Sequence, residues 1–436
     1  MITKIIFSFI FISCIVKTKS DKPCAVKHIL GQSIVCVCNS TYCDDFIREP
    51  PTDGYITYTS SKAGLRFKKE VHSFLNASDK NCVKCSEIHL DVDPSVTYQR
   101  IEGFGGAVTD SAGINWKSLE PALQYYMIKS YYSEEGLEYN MARVPIGGTD
   151  FSTRKYAYNE LPVDDVNLTN FHLAHEDYNY KGNWIVNHLG PTIRNSKYKN
   201  VKILTCDDQR FTIPFFFNMM LHKHPKALDI IDGIGVHFYN DRITPASIFN
   251  FVTKYYPDKF ILATEASEGA FPWQRKVILG SWNRAESYIS DILEDLNHNL
   301  VGWIDWNLCL NLIGGPNWEL NFVDSPIIVN ALRQEFYKQP MFYALGQVSK
   351  FVPRDSIRIQ VNETKSFFQT SVKHVGFLTP RNTTVLILYN SEKEQSITVR
   401  CVDNIMHLQL PARSITTVEF QTKKKEMKPE DLLDHS

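Results

Sequence analysis

The chain has no surplus of charge: 47 Lys plus Arg stand against 48 Asp plus Glu over 436 residues. A nucleic-acid binder ordinarily shows a basic excess or stripe, so that class is set aside. Long hydrophobic runs are also missing. The longest, residues 5–16 after Lys4, falls short of the roughly 20 residues a membrane-spanning helix needs. The polar Lys17-Thr-Lys-Ser behind it makes residues 1–20 a secretory signal. Paired metal-binding knuckles are not evident among the first cysteines of the mature chain, and nothing in the sequence asks for a metal or cofactor. What is present is 43% apolar residues and only 22% charged ones, which excludes extended disorder and allows a large core.

An exported chain changes how its cysteines read. Cys24, Cys36, Cys38 and Cys43 crowd near the mature N-terminus, and in an oxidising compartment two local disulfides outweigh a zinc site. Cys82 and Cys85 are too close for an easy mutual bridge, and their pairing stays open. Asn-x-Ser/Thr acceptor sequences at Asn39, Asn76, Asn167, Asn362 and Asn382 point to a glycoprotein.

Both ends of the mature chain are β-rich. Residues 21–98 hold turn residues and short strand patterns, and residues 351–422 alternate again, with Val385-Leu-Ile-Leu-Tyr reading as a strand buried on both faces. The economical arrangement is one β-sandwich assembled from both termini, followed by a polar tail at 423–436. The middle, residues 99–350, alternates strand and helix patterns, with amphipathic stretches at 121–131 and 282–296. Strands begin near 103, 138, 201, 232, 260 and 299, and most end in polar or aromatic residues: Asp110, Asp207, Asp208, His237, Tyr239, Glu265, Trp306. That is the layout of a (β/α)8 barrel, whose chemistry sits at the C-terminal ends of its strands.

The spacing raises a difficulty. A closed barrel needs eight βα units of roughly 30 residues each, and the interval from 138 to 201 is too short for the three it would have to contain. Residues 152–182 also carry no buried apolar run. The barrel is therefore expected to lack its third and fourth strands, between about 152 and 200.

Glu265 stands out on physical grounds. It closes the buried pattern Phe260-Ile-Leu-Ala-Thr and precedes two small residues, so its carboxylate can enter a cleft as nucleophile or acid/base; a salt bridge at the barrel rim is the plain alternative. Tyr239, Trp303 and Trp306 at nearby strand ends suit the apolar face of a sugar ring. In GFGGAVTD the glycines permit close backbone approach to a ligand, with Asp110 at the end. His237 reads as a hydrogen-bonding or core histidine rather than a metal ligand, and Asp207, Asp208 and Arg210 as a structural ion-pair network.

GFGGAVTD, YNMARVPIGGTDFS, ILTCDDQR, GVHFY, ATEASEG, VGWIDWNLCLN and GGPNWELNFVDSPIIV, in this order, resemble the acid β-glucosylceramidases of glycoside hydrolase family 30, and the likeness runs from Cys24 to about Phe420. It implies a lysosomal retaining β-glucosidase that hydrolyses glucosylceramide at a membrane surface with a saposin-type activator. It implies Glu265 as nucleophile, Asp110, Trp306 and Asn321 as glucose contacts, and His237 and Tyr239 as residues around the nucleophile. It also implies Cys24–Cys36 and Cys38–Cys43 disulfides. One element of the family pattern is missing. The acid/base glutamate of an Asn-Glu-Pro motif is expected at the end of the fourth strand, and this sequence contains no Asn-Glu-Pro. Glu160 and Glu176 flank the break without strand character. Either the chain is an impaired hydrolase or it is a pseudoenzyme that binds glycolipid or an activator.

Overall fold

A computed structural model of the chain describes residues 21–75, 88–157, 202, 204–215, 217–218, 228, 232–365 and 372–422. The signal segment, Asn76, Cys82, Cys85, Glu160, Asn167, Glu176 and the 423–436 tail lie outside these residues.

At the centre is a parallel six-stranded sheet. Its order is Met141–Arg143, Gly103–Ala107, Leu300–Asn307, Phe260–Glu265, Gly233–His237, Leu204–Gln209. The Leu300–Asn307 strand is buried along its whole length, as expected when both faces of a parallel sheet are covered. Six parallel strands in this order form an incomplete (β/α) barrel, and among the described residues none joins the Met141–Arg143 edge to the Leu204–Gln209 edge. The glycines of GFGG serve strand packing rather than a ligand. A Cβ on Gly105 would collide with the Met141 carbonyl, and one on Gly302 with that of Gly103.

The two ends of the chain share a nine-stranded sheet. Tyr55–Ser61 and Ile88–Arg100 pair with strands drawn from residues 357–421, such as Tyr55–Ser61 against Ser414–Gln421 in antiparallel register, and Lys68–His72 adds an edge beside Tyr55–Ser61. The strand Thr383–Asn390 is buried on both sides. Val385 and Ile387 pack toward the barrel, while Leu386 and Leu388 face the sandwich interior. A smaller five-stranded sheet was not anticipated from the sequence. It joins Val35–Asn39 to Glu335–Lys338, Ile327–Asn330 and Cys309–Asn311, and so fastens the N-terminal segment to the loop after the last barrel strand. The Cys24–Cys36 and Cys38–Cys43 disulfides are both present and hold that N-terminal strand.

Two helices mediate between barrel and sandwich. Trp282–Asn297 buries Ala285, Tyr288, Ile289, Ile292, Leu293 and Leu296, a stripe at three- and four-residue spacing. It packs on Leu300–Asn307, on the sandwich strand Lys373–Leu378 and on the helix Pro340–Ser349, itself buried throughout. Because Ile292 is fully buried at this junction, Ile292→Ala should cost roughly 2–5 kcal/mol. Leu332, fully exposed, should tolerate Ala within about 0.5 kcal/mol. Urea unfolding of the two variants checks the contrast.

Candidate active site

Three of the six strands are irregular where they reach the mouth of the barrel. The register shifts between Cys206 and Asp208, between Ala263 and Glu265, and between Asp305 and Asn307. A bulge bends a strand and re-aims its side chains. In the first of these strands Cys206 and Asp207 both take positive φ, 69° and 51°, an uncommon conformation for residues with a side chain. The result turns Asp207 toward the cleft instead of along the sheet.

Glu265 lies at the focus. Its Oε2 accepts from Arg143 at 2.6 Å and its Oε1 from the Tyr239 hydroxyl at 2.7 Å. Such charge-assisted contacts are short and orient the carboxylate strongly. His237 Nδ1 stands 3.8 Å from Oε1, and its Nε2 is 3.1 Å from Asp207 Oδ1. Arg143 also reaches Asp207 Oδ2 at 3.2 Å, and its guanidinium lies over the Trp306 ring at 4.8 Å. Thr264 donates to Asp207 Oδ1 at 2.6 Å.

The charges follow from these contacts. Burial pushes Asp207 up, but the hydrogen bonds from His237 and Thr264 and the Arg143 charge outweigh it and hold the carboxyl down at about 2. Burial, and then the Glu265 charge, raise the Tyr239 phenol well above its ordinary value, so it stays a donor.

Of the expected site residues, Glu265, His237, Tyr239 and Trp306 meet here. Asp110 begins the helix Asp110–Lys117, is 1% exposed, and accepts from Ser152 and Tyr156 through Oδ2. Asp150 lies close enough to Glu265 to feel its charge. Its Oδ2 accepts from Asn321 and Asn317, each at 3.2 Å, and burial followed by the Glu265 charge raises its carboxyl against those amides. Sequence reasoning passed over Asp150 because GGTDFS has no strand pattern, although its glycines mark a turn behind a strand. It also passed over Arg143, the one charged residue ending Asn-Met-Ala-Arg.

The ion-pair network read for Asp207, Asp208 and Arg210 is corrected as well. The bulge sends Asp207 into the cleft, whereas Arg210 points outward and is fully buried among Asp241, Asp291, Glu294 and Asp295. No metal-type cluster of carboxylates, histidines and cysteines surrounds Glu265 among the described residues. Of the glycosylation candidates, Asn362 and Asn382 are exposed, and Asn39 caps a turn by accepting from Thr41 and Tyr42.

A parallel (β/α) barrel with an oriented carboxylate and aromatics at its strand ends, joined to an all-β domain, defines a glycoside hydrolase. Residues 101–189 and 181–352 match the glycosyl hydrolase family 30 TIM-barrel domain, in two pieces, and residues 355–418 match the family 30 beta sandwich domain. The chain belongs to glycoside hydrolase family 30 and is a glycosidase of the glucosylceramidase type. It is 34% identical to putative glucosylceramidase 3 of Caenorhabditis elegans, over 90% of this chain and 93% of that one. Identity to the lysosomal acid glucosylceramidase of Mus musculus is 31%, over 86% and 90% of the two chains. The nematode alignment runs over 498 residues, more than the 436 present here, so part of the relative faces gaps in this chain. In fold it is similar to SrfJ from Salmonella typhimurium, with a TM-score of 0.71 and 20% identity over 85% of this chain and all of that one.

Because its carboxyl is depressed in the fold, Asp207 contributes stability that is complete above its unfolded value of about 4 and lost as pH falls toward 2. Melting temperatures from pH 5 down to pH 2.5 should fall less steeply in Asp207→Asn than in the parent.

Proposed function

We propose that Glu265 is the nucleophile of a retaining β-glucosidase acting on glucosylceramide, and that this chain carries the reaction out poorly because its acid/base glutamate is missing. The supporting observation is the oriented Glu265 carboxylate, 14% exposed, held by Arg143 and Tyr239 at a strand end. A retaining glycosidase needs a second carboxyl group about 5–5.5 Å from the first to protonate the departing oxygen. Among the described residues the carboxyls tied to this site are Asp207 and Asp150. Asp207 is held ionised at about 2 and makes no proton donor. Asp150 accepts from the side-chain amides of Asn317 and Asn321, which suits contact with a sugar hydroxyl. Trp306 offers an apolar wall for the ring, and Asn321 a second polar contact.

The absent Asn-Glu-Pro, the gapped alignment and the two-piece barrel match support the loss of a segment between the second and fifth strands of the family barrel. Ceramide leaves as a basic alkoxide, so loss of general acid help costs about 10²–10⁴ in rate.

The lysosomal lumen and a lipid surface complete the proposal. Ile146, Phe211, Ile243, Trp273, Ile313 and Leu320 are all more than half exposed. They lie on loops leaving five strand ends at the mouth of the barrel. Apolar residues gathered in this way mark an interaction surface, here a glycolipid-bearing membrane with a saposin-type activator. No helix of the described residues is long and apolar enough to cross a membrane.

Kinetics with two substrates test the proposal. Hydrolysis of glucosylceramide should be about 10²–10⁴ slower than in a relative that has the motif, while an aryl glucoside with an acidic phenol should still turn over, since that leaving group needs no proton. Glu265→Gln should abolish the aryl activity. A rate on glucosylceramide equal to that of the relatives would overturn the missing-acid reading, and aryl activity surviving in Glu265→Gln would remove Glu265 as nucleophile.

A further inference from the structure

Each group that orients Glu265 from the side, except Tyr239, is itself held by Asp207. Arg143 donates Nη1 to Glu265 and Nη2 to Asp207, so its guanidinium is gripped at both ends. His237 stands between the same two carboxyl groups, 3.1 Å from Asp207 and 3.8 Å from Glu265. Thr264, the residue before Glu265, donates to Asp207 as well. The backbone is bent to make this possible, with two successive positive φ values and a bulge at Cys206–Asp207. Strain of this kind persists only where surrounding contacts demand it.

Placement adds to the argument. Arg143 ends one edge strand of the six-stranded sheet and Asp207 lies in the other, with Glu265 between them. In the described sheet no strand pairs these two edges, so the Asp207–Arg143 contact spans the side where further barrel strands would sit.

We infer that Asp207 is a positioning residue for the nucleophile: its anion clamps Arg143 and His237 between the two edges of the described sheet and thereby keeps Glu265 aimed at the anomeric carbon. The inference rests on the nucleophile reading above and deepens it. The charged or titratable groups in contact with Asp207 are Arg143 and His237, and burial opposes its ionisation, so the anion survives only because these partners and Thr264 supply donors. Asp207→Asn retains the shape and removes the charge. Arg143 then has one carboxylate instead of two, and its geometry toward Glu265 loosens. A displacement near 1 Å at a reacting group costs about 100-fold in rate.

The test separates nucleophile placement from proton donation. An activated 2-deoxy-2-fluoro-β-glucoside with a dinitrophenolate leaving group reacts in one displacement. A Glu265 oxygen bonds to the anomeric carbon as the bond to the phenolate oxygen breaks, and the phenolate departs as a stable anion without a proton. The adduct is counted by mass spectrometry on the full chain. Expected are an adduct on Glu265 in the parent, labelling about 10- to 100-fold slower in Asp207→Asn, and recovery of most of the rate in Asp207→Glu, which retains the charge. In an Arg143→Met background, adding Asp207→Asn should cost clearly less than it does in the parent, since the part of the effect that runs through Arg143 is already lost. Circular dichroism establishes that each variant is folded. Labelling of Asp207→Asn at the parental rate overturns the inference. So does a Glu variant as slow as the Asn variant, or a full additional loss in the Arg143→Met background. If the parent gives no adduct, the nucleophile assignment itself fails and this inference falls with it.

Discussion

The Arg143 guanidinium is the contact on which the site depends. It ends an edge strand, crosses over Trp306, and donates to two carboxylates that belong to different strands of the sheet. Without it, two partly buried carboxyl groups would flank His237 with no cation bridging them. The same contact spans the two edges of the described barrel sheet, so the electrostatics of the cleft and the integrity of the scaffold meet at one residue.

The scaffold supports that residue through irregularity rather than regular pairing. Bulges at three strand ends turn Asp207, Glu265 and Trp306 out of the pleat and toward a common point. Behind them, packing is dense. Leu300–Asn307 is buried throughout, and the helix Trp282–Asn297 wedges its apolar stripe between barrel and sandwich. The second buried cluster, Arg210 with its four acids, lies on the outer side of the same strand ends. Adjacent residues of one segment thus serve opposite sides, Asp207 the cleft and Arg210 the packing beneath the loop after His237.

Family membership and chemistry point to the same gap from different directions. The barrel and the sandwich are those of family 30, while the sequence contains no Asn-Glu-Pro. Under the proposed function, Glu265 attacks without an acid opposite it, which favours leaving groups that depart as anions. On this reading the chain keeps the half of the machinery that forms a covalent bond and lacks the half that releases an alcohol.

Much of this was legible in the chain itself. Alternating patterns marked the parallel barrel strands, spacing marked the short interval between 138 and 201, and burial periodicity placed the helix at 282–297 and the doubly buried strand at 385–389. These are local properties, set by residue type and period, and they survive translation into structure. Glu265, His237, Tyr239 and Trp306 were likewise visible as polar or aromatic residues closing apolar strands. Asp150 was missed, because whether an aspartate on a loop faces a cleft depends on how that loop folds back, not on its own neighbours in sequence. The five-stranded sheet and the bond from Arg143 to Asp207 were beyond reach for the same reason: they join segments far apart along the chain. Pattern determined which elements would form and where chemistry would surface; only the packed fold, through its bulges and long-range contacts, decided which side chains point at one another.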